Sequence, residues 1–432
     1  MKQQKRTPWA WIPTLYIAEG LPYVAVMTIS VIMYKRLGIS NTDIALYTGW
    51  LYLPWVIKPF WSPFVDLIKT KRWWTVTMQL LMAIGFAAIA LTLPTSMAFK
   101  LSLAAFWLVA FTSATHDIAA DGYYMHALDS HEQSLYVGIR STFYRIATVA
   151  GQGLLVILAG FLEDSTGNIP LAWAITMGIL SALMLAASLY HQYILPRPEN
   201  PSPALDGEEK KTQVATLMRD FLDTFRTFFT KPGAIIAILF MLLYRLPEAL
   251  LVKMVSPFLL DPVDKGGLAL STKEVGVAYG TVGIIGLTIG GILGGIAAAR
   301  GGLKRWLWPM VIAITLPDLV YVYLSYAQPE SLLLINVCIF VEQFGYGFGF
   351  TAYMLYLIYF ADGPHKTAHY AIATGFMALG MMLPGMAAGW LQETVGYPSF
   401  FLIAVACCAI TFLICTFIKI DPEFGRKKTE QK

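Results

Sequence analysis

The feature that most constrains this chain is a series of about twelve apolar runs, each long enough to cross a bilayer as a helix. Only 13% of the residues are charged, against about 25% in soluble domains. The sequence therefore predicts an all-α membrane protein with twelve transmembrane helices. The predicted spans are residues 9–34, 44–66, 73–93, 101–128, 133–162, 169–194, 233–260, 274–299, 306–326, 331–360, 367–391 and 398–419.

Basic residues are distributed unequally between the two sides of these spans. With the N-terminus inside, 21 of the 31 lysines and arginines fall in inner loops or tails, and five fall in outer loops. Positive loops stay in the cytoplasm, so we expect both termini there. The net charge of +4 follows from this asymmetry and does not indicate nucleic-acid binding. All four cysteines lie in predicted spans, where they resemble small apolar residues rather than disulfide partners.

One internal loop is long and divides the spans six and six. It covers residues 196–231 and is polar and rich in proline. We therefore predict an N-terminal bundle at 1–195, this loop as a cytoplasmic linker, and a C-terminal bundle with a cytoplasmic tail at 232–432.

The two halves repeat each other in sequence. EGLPY at 19–23 matches YRLPE at 244–248, and GISNTDIALYTG at 38–49 matches GLALSTKEVGVAYG at 267–280. Two parallel six-helix pseudo-repeats with a central cytoplasmic loop are typical of the major facilitator fold. In that fold, the substrate binds near mid-membrane between the halves, and access alternates between the two sides.

Local patterns predict helix starts and close helix contacts. Ser40-x-x-Asp43 and Ser271-x-x-Glu274 are capping boxes that begin the following helices. Glycines of the eighth span have small-xxx-small spacing, which predicts close approach of a neighbouring helix. These glycines are Gly280, Gly286, Gly290, Gly291, Gly294 and Gly295.

Ionisable residues lie inside the fourth and fifth spans, where each costs at least ~2.5–3.5 kcal/mol at mid-bilayer. Asp117 and Asp121 are four apart and share one helix face. Counted from the same membrane face, Asp121 and Arg140 lie at roughly 10 Å, and Asp117 and Arg145 at roughly 17 Å. We expect two Asp–Arg pairs between adjacent helices, which either fix the packing or line a polar cavity.

A further carboxylate lies in the first span. Glu19 is roughly 15 Å from the start of that span, level with Asp117 and Arg145. Burial favours the neutral form of a carboxyl group, and a nearby arginine favours the charged form. We predict proton coupling through Glu19, Asp117 or Asp121, with static ion pairing as the alternative.

The C-terminal half has its own buried charges. Arg245 and Glu248 are three apart in the seventh span, and Asp318 and Glu342 are further carboxylates of this half. We expect an Arg245–Glu342 pair or, alternatively, an intrahelical Arg245–Glu248 bridge. An unpaired arginine would suit an anionic substrate, because guanidinium binds carboxylate bidentately. Tyrosines near these charges are candidates for stacking on sugar rings, with packing as the alternative. The predicted substrate-binding residues are Arg140, Tyr144, Arg145, Tyr123, Tyr124, Arg245, Glu248 and Glu342.

Two other charged groups receive different interpretations. Lys58, Asp66, Lys69 and Arg72 lie around the loop between the second and third spans, and we predict that they form a structural gate. His116, Asp117, Asp121 and His126 have the residue types of a metal site. However, His116 and Asp117 are adjacent and point about 100° apart on a helix. We therefore expect no metal site and no cofactor.

Several stretches resemble the AmpG muropeptide permeases, members of the peptide–acetyl-CoA–drug transporter group of facilitators. SATHDIAADGYY at 113–124 is similar to their S-A-T-Q-D-I-x-x-D-A-W, and KPFWSPFVD at 58–66 to K-F-L-W-S-P-L-x-D. FVEQFGYG at 340–347 is similar to F-F-E-N-L-C-G-G, and AGWL at 388–391 to A-G-W-F. The similar stretches keep their order over nearly the whole chain.

This resemblance implies a proton-coupled secondary transporter of a bacterial inner membrane, working by alternating access. The expected partners are protons, the bilayer and an imported sugar-containing solute, a muropeptide or amino-sugar disaccharide, with the chain acting as a monomer. The chain departs from the family at Tyr124 and His126, where a lysine and an aspartate are common, and it adds Glu19 and Arg140. Other oligosaccharides are therefore an alternative substrate class.

Three other functions are weaker alternatives. An exporter of drugs or lipids would have a more apolar pocket. A carrier of acetyl-CoA would need more basic residues at its cytoplasmic mouth. A membrane-embedded enzyme would need a catalytic motif, and the sequence contains no HExxH or GxGD arrangement.

Overall fold

The computed structural model describes residues 7–128, 130–197, 219, 222–363 and 366–425. Helices account for most of this part of the chain, and it contains no strand. The helices, in chain order, are α1 (Ile12–Val24), α2 (Ser30–Arg36), α3 (Asn41–Trp50), α4 (Leu53–Ile68), α5 (Lys71–Thr92), α6 (Ala98–Ala127), α7 (Ser130–Val149), α8 (Val156–Thr166), α9 (Ile169–Ile194), α10 (Ala234–Leu243), α11 (Leu246–Leu260), α12 (Thr272–Val277), α13 (Ile284–Gly301), α14 (Leu303–Thr315), α15 (Leu319–Ala327), α16 (Leu332–Ala361) and α17 (Lys366–Phe417).

All twelve predicted segments are helical. Ten helical stretches of the described residues are long and apolar enough to cross a membrane. The last of them lies in the 52-residue α17, which contains Gly396 with φ 76° and ψ 165°. This left-handed residue marks the place where the two last predicted spans meet. The predicted span at 44–66 is divided between α3 and α4, which have 10 and 16 residues.

The chain divides into two compact units. Unit 1 comprises Met1–Leu37 and Ile57–Met218, and unit 2 comprises Gly38–Val56 and Arg219–Lys432. The buried core of unit 1 includes Trp11, Tyr16 and Tyr123, and that of unit 2 includes Phe240 and Tyr353. The predicted linker falls largely on residues 198–218, 220 and 221, which lie outside the described residues.

Helix α3 belongs to unit 2 because it packs against α17. The side-chain amide of Asn41 donates to Gln392 at 2.6 Å and to the Tyr397 hydroxyl at 3.0 Å. Gly389 permits this approach, since a Cβ atom there would lie 1.9 Å from the Asn41 carbonyl oxygen. A buried amide with several partners fixes the register of the two helices.

Three π-helical turns interrupt the spans within the described ranges. Ala25–Ile29 joins α1 to α2, Ala150–Leu155 joins α7 to α8, and Ala278–Gly283 joins α12 to α13. Such turns are rare and occur frequently at functional sites. Because a π-turn adds a residue to the helix, it rotates the side chains beyond it relative to an uninterrupted α-helix. Hydrophobic periodicity alone did not reveal these turns.

The seventh span is also broken. Helix α10 ends at Leu243 and α11 begins at Leu246, with Arg245 as the N-cap residue at φ −105° and ψ 21°. Pro247 lies in the first turn of α11, where its missing N–H removes no helical hydrogen bond. The break places Arg245 and Glu248 at the start of a helix deep inside unit 2.

The predicted helix starts are confirmed. Ser271 and Glu274 form a complete capping box at the start of α12. The Ser40 hydroxyl accepts from the Asp43 backbone N–H at 3.1 Å at the start of α3. These bonds satisfy backbone donors that have no partner inside the helix.

The predicted close helix contact is confirmed for three of the span-eight glycines. Gly286, Gly290 and Gly294 face α16, and Cβ atoms on them would lie 2.7, 2.0 and 2.6 Å from its nearest atoms. Gly295 faces open space instead. The spacing of four puts the first three on one face, so only that face packs closely.

Candidate functional site

Unit 1 contains a cluster of buried and half-buried charges. Lys58 of α4 forms an ion pair and hydrogen bond with Asp117 of α6. Arg140 of α7 forms an ion pair with Asp121 of α6 at 3.1 Å. Their side chains keep between 22% and 41% of their surface exposed. The cluster is therefore a polar region that a small solute or a proton can reach.

Glu19 joins this cluster from α1. It is 9% exposed, and its Oε2 atom has no hydrogen-bond partner among the described residues. Its carboxyl group lies close enough to the Asp117 carboxyl group for the two to interact electrostatically. Two carboxyl groups can share a hydrogen bond only when one of them carries a proton. Lys58 stabilises the charged form of Asp117, so Glu19 is the group better placed to hold that proton.

Two tyrosines cover the other pair of charges. The Arg140 guanidinium carbon lies 4.8 Å from the centre of the Tyr16 ring and 5.1 Å from that of Tyr124. The Tyr16 hydroxyl also donates to Asp121 at 3.2 Å. Arg140 is therefore held by one carboxylate and two aromatic faces. Tyr16 was not among the predicted site residues, although its position three residues before Glu19 in α1 indicates a shared face.

One of the two expected Asp–Arg pairs is present and the other is not. The Asp121–Arg140 pair is confirmed. Asp117 instead pairs with Lys58, and Arg145 is exposed and contacts no carboxylate of the described part of the chain. Equal depth along the helix axes does not determine which way each side chain points around its axis.

A chain of buried polar side chains lies beside this cluster. His116 of α6 bonds Gln79 of α5 at 2.9 Å, and the Gln79 carbonyl oxygen bonds His191 of α9 at 2.9 Å. His191 bonds Thr14 of α1 at 2.9 Å. The His116 side chain therefore points toward Gln79. These hydrogen bonds connect four helices, and they were not predicted from the sequence.

The remaining predicted residues of unit 1 have varied surroundings. The Tyr123 hydroxyl donates to the Pro196 carbonyl at 2.8 Å, and Tyr144 is half-buried. Arg72 donates to the backbone carbonyls of Gln192 and Leu195 at the C-terminal end of α9, and Lys69 is exposed. The side chain of Asp66 lies outside the described residues.

Arg245 in unit 2 lies among aromatic rings. Its guanidinium group donates to the Tyr346 hydroxyl. Its carbon lies 4.7 Å from the centre of the Phe350 ring and 6.0 Å from that of Tyr353. The Arg245 Nε atom has no partner, and within the described ranges this residue forms no ion pair with Glu248 or Glu342. Both expected pairings of Arg245 are therefore wrong, because the aromatic residues of α16 hold the guanidinium group.

Three carboxylates of unit 2 lie close to one another, without Arg245 as an ion-pair partner among the described residues. Glu248, Asp318 and Glu342 each have an oxygen atom within 4.8 Å of those of the other two. They are 3%, 2% and 2% exposed. Asp318 was recognised as a buried carboxylate in the sequence but was not included in the predicted site.

Lys253 is a buried cation that the predicted site did not include. It is 1% exposed, and its ammonium group donates to the Thr48 hydroxyl at 2.8 Å and lies 5.2 Å from the centre of the Tyr52 ring. No carboxylate pairs with it in the part of the chain that the structure describes. Its presence inside a predicted span was the signal that could have identified it.

Buried ionisable side chains inside a multi-pass helical bundle are features of a membrane transporter rather than an enzyme. The sequence pattern of the Major Facilitator Superfamily matches residues 14–368, and the chain belongs to that superfamily.

Named relatives indicate which members of the superfamily this chain resembles. The chain is 25% identical over 420 residues to a putative transporter AmpG 4 of Rickettsia conorii, covering 94% of each chain. It is 26% identical over 429 residues to the anhydromuropeptide permease of Escherichia coli K12, covering 96% of this chain and 80% of the permease. Within the superfamily, the chain is thus similar to AmpG-type permeases.

Solved structures confirm the fold. A bacterial homologue of the human lysosomal transporter Spinster superposes with a TM-score of 0.68 at 15% identity, covering 96% of this chain and 97% of that one. A D-xylose–proton symporter superposes with a TM-score of 0.69 at 14% identity, covering 95% and 97%. The predicted all-α major facilitator fold is therefore correct.

Proposed function

We propose that this protein is a proton-coupled secondary transporter that imports a sugar-containing solute across a bacterial inner membrane by alternating access. A muropeptide or amino-sugar disaccharide is the first candidate, because the Escherichia coli relative is named as an anhydromuropeptide permease. The observation that carries the proposal is the proximity of the buried Glu19 carboxyl group, which keeps an unpartnered oxygen among the described residues, to the Lys58–Asp117 ion pair.

The proposed coupling mechanism follows from the proximity of Glu19 to the Lys58–Asp117 ion pair. A proton held between Glu19 and Asp117 leaves one negative charge, which Lys58 neutralises. Loss of the proton would leave two adjacent carboxylates with one lysine in a poorly solvated place, which is costly. Protonation therefore changes the electrostatic energy of unit 1 and can favour one conformation over the other. Asp121, paired with Arg140, is the third member of the proposed proton-coupling group.

Substrate recognition is assigned to the aromatic and basic side chains near these charges. Tyr124 and Arg140 of unit 1 offer a ring face and hydrogen-bond donors, which suit a sugar ring and its hydroxyl groups. In unit 2, Arg245 has an unpartnered Nε–H and no carboxylate partner among the described residues, which suits a carboxylate of the solute. The full set proposed to bind the solute is Arg140, Tyr144, Arg145, Tyr123, Tyr124, Arg245, Glu248 and Glu342.

The proposal also covers the membrane topology of the chain. We infer that residues 1–195 and 232–432 form two six-helix halves, that both termini are cytoplasmic, and that the protein acts as a monomer. Lys58, Asp66, Lys69 and Arg72 are proposed to take part in gating. Impermeant thiol labelling of single cysteines added in the loops at 35–39 and 196–231 would locate each side, because the two loops should react from opposite faces.

The test is uptake into proteoliposomes under an imposed pH gradient, with labelled N-acetylglucosaminyl-anhydromuramic acid as solute. We expect gradient-driven accumulation by the wild type and its loss in Asp117→Asn. Glu163→Gln is the matched control, because Glu163 is a buried carboxylate of unit 1 that pairs with Arg36 outside the cluster. Uptake that a protonophore leaves unchanged would contradict proton coupling, and uptake of neutral disaccharides alone would favour other oligosaccharides as substrates.

A further inference from the structure

The three carboxylates of unit 2 come from three separate elements. Glu248 lies in the first turn of α11, Asp318 ends the 3-10 turn Leu316–Asp318 between α14 and α15, and Glu342 lies in α16. Tertiary packing therefore brings together three acidic groups that are far apart in the sequence. Bringing buried carboxylates so close is unfavourable unless positive charge or protons neutralise them.

The oxygens of the three carboxyl groups differ in their hydrogen bonding. Glu342 accepts hydrogen bonds from the Tyr321 hydroxyl at 2.7 Å and from the Gln343 amide at 3.0 Å. By contrast, Glu248 Oε2 and Asp318 Oδ1 are buried and have no hydrogen-bond donor among the residues that the structure describes. Unpartnered carboxylate oxygens are rare in buried positions and imply a partner of another kind.

A cavity lies between the two unsatisfied groups. Its volume of about 10 Å³ is enough for about one water molecule, and Glu248 and Asp318 line it together with Tyr244, Thr315 and two apolar residues. The Thr315 hydroxyl donates to the Val311 carbonyl at 2.7 Å, which leaves its lone pairs as acceptors. The cavity is therefore lined by oxygen acceptors, and a cation would satisfy them.

The basic side chain closest in sequence to Glu248 forms no ion pair with the group among the described residues. Arg245 precedes Glu248 by one helical turn, but its guanidinium group is held by Tyr346 and stacks on Phe350. Other polar side chains beside the group include the Tyr321 hydroxyl, the Gln343 amide and the Cys408 thiol, which lies 3.7 Å from Asp318 Oδ2. None of these three supplies a positive charge.

The spacing of the oxygens fits a hard cation. Two oxygens bound to one ion at about 2.4 Å are at most about 4.8 Å apart, and the oxygens of the three groups all lie within 4.8 Å of one another. Carboxylate and hydroxyl oxygens are the ligands that such ions prefer.

We propose that Glu248, Asp318 and Glu342 form a binding site for a small inorganic cation with oxygen ligands, Na⁺ or Ca²⁺, inside unit 2. Glu248 and Asp318 contribute their unpartnered oxygens, while Tyr321 and Gln343 orient Glu342. This site uses other residues than the proton-coupling group of Glu19, Asp117 and Asp121. It shares Glu248 and Glu342 with the set proposed to bind the solute, but its test needs no solute.

Thermal unfolding of the purified full-length protein tests the proposal without any solute or gradient. NaCl and CaCl₂ are titrated against choline chloride at equal ionic strength and constant pH. A cation that binds only the folded state raises Tm in a saturable way. We expect such a rise with at least one of the two ions, and the ion that produces it identifies the site's preference. Equilibrium binding of ²²Na⁺ or ⁴⁵Ca²⁺ to the same sample should saturate near one ion per chain.

Variants connect the response to the three residues. Glu248→Gln and Asp318→Asn should abolish the cation-dependent rise and weaken radioligand binding at least tenfold. Glu163→Gln, a change of the same kind in unit 1, should keep both. Equal responses to choline and to the two metal ions would overturn the proposal, as would a rise that survives in both variants. If one variant fails to fold, the other variant and the wild-type radioligand measurement still decide the question.

Discussion

Lys58 in α4 forms an ion pair with Asp117 in α6, and the carboxyl group of Glu19 in α1 lies close to the same aspartate. A lysine beside two carboxyl groups is balanced in charge when one of the two carries a proton, whereas a lysine beside a single carboxylate needs no proton. Because Lys58 pairs with Asp117, Glu19 is the carboxyl group proposed to carry the proton, although the two lie at a similar depth in their helices.

The first prediction concerns Glu19. Glu19→Gln should abolish uptake driven by a pH gradient, with a fall of at least about 10-fold, as expected for loss of a proton-transfer group. Solute exchange at equal pH should be retained, because the amide preserves the shape and some hydrogen bonds of the protonated acid. Uptake and counterflow in proteoliposomes separate the two activities. Gradient-driven accumulation at the wild-type rate in Glu19→Gln would exclude Glu19 as the proton carrier.

The second prediction concerns the pairing of Lys58 with Asp117. Lys58→Met should lower Tm because it leaves Asp117 in a poorly solvated site without its cation. The side chains are 24% and 22% exposed, so we expect a loss below the about 3–5 kcal/mol found when a fully buried pair is broken. The double variant Lys58→Met/Asp117→Asn should recover most of that loss. Additive effects of the two single changes would show that the residues do not interact.

The third prediction concerns Arg245. Arg245→Lys keeps the positive charge but loses the planar group that stacks on Phe350 and bonds Tyr346. We expect KM for an anionic muropeptide to rise about 10–100-fold, corresponding to about 1.4–2.8 kcal/mol of lost binding. Uptake of neutral disaccharides should change little and provides the control. An equal effect on charged and neutral solutes would show that Arg245 has a structural role rather than a role in binding the anion.

The fourth prediction concerns the contact between α13 and α16. A Cβ atom on Gly290 would lie 2.0 Å from the Phe344 carbonyl oxygen, whereas one on Gly295 would meet nothing within 4 Å. Gly290→Ala should therefore destabilise the protein by about 1–3 kcal/mol through overpacking. Gly295→Ala, in the same helix, should leave Tm unchanged or slightly raised, since alanine has the higher helix propensity. Equal Tm values for the two variants would contradict the close packing.

The sequence alone determined the features that depend on local patterns. Apolar length fixed the positions of the spans, because a bilayer requires about 20 apolar residues per helix. The Ser271–Glu274 capping box and the close contacts of Gly286, Gly290 and Gly294 also follow from residue spacing along one helix. The Asp121–Arg140 pair was predictable because the two residues have opposite charges and equal depth.

Tertiary structure decided which side chains meet when several partners were possible. Asp117 contacts Lys58 rather than Arg145, and Glu248 lies with Asp318 and Glu342 rather than with Arg245. Depth along a helix can be counted from the sequence, but the direction of a side chain depends on how the helix is rotated and where it is broken. The π-turns and the break before α11 change those directions, and hydrophobic periodicity does not reveal where they occur.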